Sequence, residues 1–307
     1  MQIISNHVAG GNFGDQLNDV IWSSLLPNLS RIWPKHAIAG IGTFGHLTVP
    51  RHVEYLHVFG TGATGDLSAS FPNVKNLKVH FLRGPLTAKI WGAPGLGLVD
   101  GAALITQTKL WELPAETRTH RIGYVPHHLS DKFANYELIC RLAGVKYVTS
   151  RGYDTESFIR KIKSCDYIIT EALHGAVVAD LFRKPWVAVS SRRYINAFKW
   201  DDWCRSIGLE YHPNSIDFVC TRGITPCERL IKIGKRVLFE HGLGKYKWRF
   251  KKVRYDSRAA EDLVAEQIIG VRREARFILS SEAVSQRVLA QATAAWNSFA
   301  KLIANCD

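Results

Sequence analysis

The sequence predicts an α/β protein: two Rossmann-like parallel-sheet domains facing a cleft, followed by C-terminal helices. Three observations predict it. Short apolar runs such as Asp166-Tyr167-Ile168-Ile169-Thr170 recur along the chain, as buried parallel strands do. Most run into a turn bearing glycine or proline and then a stretch of helical composition. This alternation occurs twice, on either side of a polar, proline-bearing linker at 106–120. The predicted division is 1–115 for the N-terminal Rossmann-like domain and 116–240 for the C-terminal one. Residues 241–307 form a basic-aromatic segment and C-terminal helices.

In the first domain, Gln2-Ile3-Ile4-Ser5 reads as a strand and Gly10-Gly11-Asn12-Phe13-Gly14-Asp15 as a glycine-rich turn. A helix over 16–26, capped by Asp15, should follow. Strand, glycine loop and helix open a nucleotide-binding type of unit, but no Gly-Lys-Ser/Thr follows, so this is no Walker loop. A tight turn that only lets the helix pack is an equal reading of those glycines. Leu56–Phe59 is a strand ending in Gly60-Thr61-Gly62, and Val79–Leu82 is another, running into Arg83-Gly84-Pro85. Pro85 suits the first position of a short helix over 86–91. An arginine between a buried strand and a helix start favours anion recognition by its guanidinium fork, with a salt bridge between loops as the structural alternative. Residues 96–101 complete the domain as a further strand end, carrying Asp100.

The second domain opens with the strand 121–125, ending at Pro126-His127-His128. Adjacent strand residues point to opposite faces, so one histidine should face the cleft and the other pack. A strand at 147–149 and an amphipathic helix over 155–164 follow. The central unit is 166–189: strand, Glu171-Ala172-Leu173-His174-Gly175, helix, Pro185, strand. The loop after such a strand opens at the carboxyl edge of the sheet, where ligands bind, and puts His174 beside free helix N-terminal N–H groups. Ser190-Ser191-Arg192-Arg193 ends the next strand, and the stretch 198–204, which carries Lys199, leads into another short helix.

Towards the end, Lys245–Tyr255 alternates basic and aromatic residues, and 282–304 forms a helix with one apolar stripe: Val284, Val288, Leu289, Ala292, Trp296, Phe299 and Ile303. The stripe predicts packing on the body of the protein. The basic-aromatic run is either a solvated surface or a contact with anionic lipid head groups.

With 46% hydrophobic and 22% charged residues, the 307-residue chain is that of a folded protein, and its net charge of +13 predicts anionic partners. Six cysteines show no metal-finger or C-x-x-C spacing, so reduced thiols are expected. No signal peptide or membrane-spanning run is apparent. The expectation is a cytoplasmic protein, in peripheral contact with the inner face of the plasma membrane. No metal is expected.

Taken in order, Asn12-Phe13-Gly14-Asp15-x-Leu17-Asn18, Arg83-Gly84-Pro85-Leu86-Thr87, Pro126-His127-His128 and Ala172-Leu173-His174-Gly175-Ala176 resemble the polysaccharide pyruvyltransferase family, and most of all bacterial exopolysaccharide ketalases. The resemblance implies a glycosyltransferase-B-like fold. It also implies transfer of a pyruvyl group from phosphoenolpyruvate, as co-substrate with no further cofactor, to a glycan acceptor, a lipid-linked oligosaccharide being one form. The bridged hydroxyls it favours are the 4 and 6 positions of a terminal hexose. The family's histidine carries over to His174 and its upstream arginine to Arg83. Its Arg-Leu-His motif begins here with Ala172 instead, leaving one anionic contact to Arg192, Arg193, Lys199 or His127. Asn12, Gly14, Gly62 and Leu173 complete the substrate-binding set.

Phosphoenolpyruvate needs fixed cations, and ketal formation needs an acid at its methylene carbon. His174 fits the acid, Arg83 the clamp on phosphate or carboxylate, and Asp15, Asp100 or Glu171 the base on the sugar hydroxyl. A core histidine bonded to backbone is the structural alternative for His174. A nucleotide-sugar glycosyltransferase is the main rival function, since a fold does not fix a function. A nucleic-acid binder would rest on net charge alone, and no binding motif supports it.

Overall fold

The computed structural model describes residues 1–5, 11–27, 33–44, 48–65, 74–118, 120–152, 154–191, 195–222, 253–254 and 258–304. In the first half, β1 (Gln2–Ile4), β2 (His36–Ala39), β3 (Tyr55–Thr61) and β4 (Asn76–Leu82) form a parallel sheet in the order β1-β2-β3-β4. Helices α1 (Phe13–Leu25) and α2 (Pro85–Ile90) follow β1 and β4. The second half carries β5 (Ile122–Val125), α3 (His128–Phe133), α4 (Tyr136–Ala143), β6 (Lys146–Tyr147), α5 (Thr155–Lys163), β7 (Tyr167–Thr170), α6 (Leu173–Leu181), β8 (Trp186–Ser190), α7 (Ala197–Ser206) and β9 (Asn214–Ser215). Its strands are also parallel, in the order β6-β5-β7-β8-β9. The chain is thus α/β with two Rossmann-like parallel sheets. After β9 come β10 (Phe218–Val219), paired with β11 (Val253–Arg254), and the helices α8 (Arg258–Glu274) and α9 (Glu282–Ala304).

Chain order reverses between β5 and β7, which places a topological switch point there. The two loops flanking it carry His127 and Glu171–His174. A crevice opens at such a point because adjacent connections leave to opposite sides of the sheet.

The halves share one core. Phe13 of α1 stacks on Phe158 of α5, centroids 3.7 Å apart. Leu17 and Ile21 join the same cluster as Val125, Ile159 and Ala176. Helix α8 stays with the second half: Val264 and Ile268 pack with Ile139 and Ala143. Helix α9 returns to the first, where Trp296 lies 5.9 Å from Trp22 and Phe299 5.3 Å from Phe59. Val288, Ala292, Trp296, Phe299 and Ile303 are its buried stripe. Phe299 also covers two members of a ladder across the sheet. His36 Nδ1 lies 3.0 Å from His57 Nε2, and His57 Nδ1 lies 3.2 Å from His80 Nε2.

Several local expectations change. α1 begins at Phe13, with Asn12 as N-cap and Asp15 inside the first turn, where a carboxylate meets the positive helix end. β2 has no counterpart in the sequence reading. Residues 96–99 form no strand; a single bridge joins Leu82 to Gly97. The linker is packed: Leu110 is buried, and Lys163 Nζ donates to the Trp111 and Leu113 carbonyls. Apart from the backbone of Val253–Arg254, the basic-aromatic segment lies outside the described residues. Cys140, Cys165, Cys204 and Cys220 are buried free thiols. Among the described residues no helix is long and apolar enough to cross a membrane.

Candidate active site

A cavity of about 310 Å³ lies where the halves meet. Asn12–Asp15 from the start of α1, Arg83 and Asp100 from first-half loops, His127, His128 and Glu171–Gly175 from second-half loops, and Lys199 and Trp200 from α7 all line it.

His174 stands in the first turn of α6, after a loop held by Thr170: its hydroxyl donates to the Ala172 carbonyl (2.7 Å) and accepts from the Ala172 N–H (3.1 Å). Ala172, the N-cap, offers no side-chain cap, so the Leu173 and His174 N–H groups are first-turn donors without an intrahelical acceptor. Gly14 packs on the ring of His174; a Cβ there would fall 1.9 Å from Nδ1. On the other nitrogen, Nε2 is buried without a hydrogen bond and sits 3.7 Å from Asp100 Oδ2. Asp100 is 1% exposed, its Oδ1 accepting from the Ala102 N–H at 2.9 Å. Burial pushes its carboxyl up, but His174, the Ala102 N–H and the Arg83 charge outweigh that and hold it below the ordinary carboxylate value. Asp100 thus sets a buried carboxylate behind the His174 ring, on its Nε2 side.

Arg83 does what its structural alternative required and still lines the cavity. Its Nε donates to Asp202 Oδ2 (3.1 Å) and its Nη2 to the Ala63 carbonyl (2.7 Å). Among the described residues Nη1 has no such partner. Gly62, expected to touch substrate, instead lies under the guanidinium, where a Cβ would meet Cζ at 2.1 Å, and is not part of the cavity lining. Lys199 is the cation left over: among the described residues its ammonium makes no ion pair or hydrogen bond. Burial and the Arg83 charge lower its pKa to about 8, against the opposing pull of Asp15 and Asp100.

Both adjacent histidines line the cavity, correcting the expectation that one would pack away. They fall at the end of β5 and the start of α3 rather than within a strand, so strand alternation does not apply. His127 caps α3, Nδ1 accepting from the Leu129 N–H at 3.3 Å. Burial, then the charge of Lys199, lowers His127 to about 4; burial, then neighbouring cations led by His127, does the same for His128. Both are neutral near pH 7.

Glu171 is fully buried, and its oxygens accept from the His127 N–H (3.0 Å) and the Ser191 N–H (3.2 Å). Burial raises its pKa against those bonds. It ties together the loops after β5, β7 and β8. Asp15 accepts from Asn12 Nδ2 at 3.0 Å, at the same cavity wall as Gly14.

Of the residues singled out from sequence, Asn12, Gly14, Asp15, Arg83, Asp100, His127, Glu171, Leu173, His174 and Lys199 therefore share one cavity. Arg192 and Arg193 lie outside the described residues. Sequence reading passed over Asp202, which shares no local motif with Arg83, and Asn196. Asn196 caps α7 while its Nδ2 donates to the Thr64 carbonyl across the junction, 3.1 Å away. The one local signal was an asparagine three residues ahead of Lys199, an N-cap pattern.

Residues 111–193 match the family model described as polysaccharide pyruvyl transferase. The chain is also 36% identical, over 211 residues, to the succinoglycan biosynthesis protein ExoV of Rhizobium meliloti (strain 1021). That alignment covers 67% of this chain and 65% of the relative, so the chain spans just under two thirds of the length of the protein it matches. No solved structure matches significantly. The cavity's second-half wall, including His127, His128 and the turn bearing His174, lies within the residues that match the polysaccharide pyruvyl transferase family.

Proposed function

We propose that the chain is a phosphoenolpyruvate-dependent pyruvyltransferase. It moves the pyruvyl group to a hexose of a bacterial exopolysaccharide, or of its lipid-linked repeat unit, and closes a cyclic ketal. The observation that carries this reading is the pairing, in one cavity, of an anion site with an acid. Arg83, Lys199 and the first-turn N–H groups of α6 supply the first; His174 backed by Asp100 supplies the second. At ~30 Å³ per water the cavity holds about ten water volumes. That suits a three-carbon phosphate ester and the edge of a sugar ring better than a whole nucleotide sugar. ExoV, named for succinoglycan biosynthesis, supports the exopolysaccharide setting.

In this reading His174 delivers a proton to the methylene carbon of phosphoenolpyruvate, turning CH₂ into CH₃ and leaving an oxocarbenium-like centre at C2. A sugar hydroxyl adds there and gives up its proton. Asp15, which lines the same cavity, is the base. The C2–O bond to phosphate then breaks, phosphate leaves, and a second hydroxyl adds to close the ring; its proton departs with the phosphate. Arg83 and Lys199 hold the phosphate and carboxylate throughout. Glu171 shapes the wall rather than exchanging protons, because both its oxygens are engaged by backbone. The acceptor, carried on a lipid, meets the enzyme at the inner face of the plasma membrane, to which a net charge of +13 would draw it.

The test is a thermal shift with phosphoenolpyruvate against a panel of nucleotide sugars, on wild type and Arg83→Ala. A ligand of the native state raises stability as RT ln(1 + [L]/Kd). Stabilisation by phosphoenolpyruvate alone, lost in Arg83→Ala, is the expected result. Stabilisation by a nucleotide sugar alone would replace this function with glycosyl transfer.

A further inference from the structure

Asp202 belongs to α7 of the second half, yet its carboxylate serves the first. Oδ1 accepts from the Leu86 and Thr87 N–H groups at 2.9 and 3.0 Å; Oδ2 accepts from the Thr87 hydroxyl at 2.6 Å and Arg83 Nε at 3.1 Å. The residue is 0% exposed and Arg83 2%. With four donors on two oxygens the carboxylate is saturated, so it does not itself take a ligand.

Its position decides where two cations stand. Through Nε it fixes the plane of the Arg83 guanidinium, whose edge lines the cavity. Through α7 it fixes Lys199, three residues earlier on the same helix and so near the same face. The approach is close: a Cβ on Gly84 would fall 2.1 Å from the Asp202 carbonyl oxygen and 2.5 Å from Oδ1. Helix α7 therefore meets the β4–α2 turn with no side chain between them. A buried ion pair returns little net stability once desolvation is counted. A pair placed here fits a role in orienting charge.

We infer that Asp202 is a positioning residue for the donor anion: it sets Arg83 and, along α7, Lys199 as two fixed cations around the bound phosphate and carboxylate. This rests on the pyruvyltransferase reading for the identity of the anion.

The variant Asp202→Asn keeps the shape, and its Oδ1 can still accept from Leu86 and Thr87, but no negative charge faces Arg83. Hydrogen bonds to charged groups are worth enough that KM for phosphoenolpyruvate should rise about 10- to 100-fold, with kcat falling much less. A merely structural bridge would lower the melting temperature and leave the KM of the folded enzyme unchanged, which would overturn the inference. A second measurement needs neither variant nor ligand. In wild-type protein labelled with ¹⁵N, the Arg83 Nε–H should exchange far more slowly than an exposed arginine's. Exchange at the exposed rate would also overturn the inference, whether or not Asp202→Asn folds. If wild type holds the Arg83 proton but binds no phosphoenolpyruvate, the donor assignment fails and the hold of Asp202 on Arg83 stands.

Discussion

Gly14 lies flat against the imidazole of His174, so close that a methyl group on it would fall 1.9 Å from Nδ1 and 2.4 Å from Cε1. The start of α1 and the start of α6, from opposite halves, thus fix one ring between them. Gly14→Ala should push that ring off its Asp100 partner. A displacement on the order of 1 Å can cost about 100-fold in rate, so kcat should fall by that order. Binding of phosphoenolpyruvate should persist, because Arg83 and Lys199 are untouched. Calorimetric titration beside steady-state rates would separate the two.

Replacing His174 by Gln removes the acid but keeps a polar side chain of similar size. General acid catalysis is typically worth about 10²–10⁴-fold, and the fall in kcat should lie in that range, with KM for the donor changed little. Phosphate release is the convenient assay. Unchanged turnover would return His174 to the role of a packing residue.

Lys199 gives the donor site a pH limit. Its pKa is lowered to about 8: below that the ammonium is charged and attracts the anion, above it the amine is neutral. In the free enzyme kcat/KM for phosphoenolpyruvate should therefore decline as pH rises through about 8, since that ratio reports free-enzyme groups. Lys199→Arg stays charged throughout and should remove the decline. A profile identical in both would assign the titration to another group.

Acid should destabilise the fold well above the carboxylate range. Burial first, then neighbouring charges, lowers His57 to about 3 and His80, His127 and His128 to about 4, against an ordinary 6.5. Between those values the unfolded chain binds more protons than the native one. Stability is thus complete above about pH 6.5 and is lost as pH falls toward 4. Melting temperatures at stepped pH check this, and a flat curve from neutrality to pH 4.5 would contradict the burial of these rings.

Much of this was legible locally, because strand, loop and helix are written in neighbouring residues. The β7–α6 unit is an example: Tyr167–Thr170, then His174 in the first turn, then Pro185 after the helix, each with a periodic or breaking role. Legibility stopped where the cause is distant. β2 is four residues long and flanked by Lys35 and Gly40, too short to show a period. Arg83 could be seen as an arginine in an odd place. The reason it is tolerated, Asp202, enters from another helix with no local trace. Glu171 looked like a base because it is a carboxylate beside His174; only the fold shows that His127 and Ser191 hold both its oxygens. Ala172 left a contact unassigned, and Lys199 became the favoured substitute only when α7 was placed against the cavity.

The imidazoles of His36, His57 and His80 obey an arithmetic of their own. Each link between them needs one N–H and one bare nitrogen, so in the neutral ladder all three rings must share a tautomer, and turning one over means turning all. A single added proton fits on any ring if the others reorient. A second does not: two protonated neighbours would face N–H to N–H, and protonated outer rings would both need the middle one bare. Three histidines in this sheet therefore have room for one proton, whereas the unfolded chain has room for three.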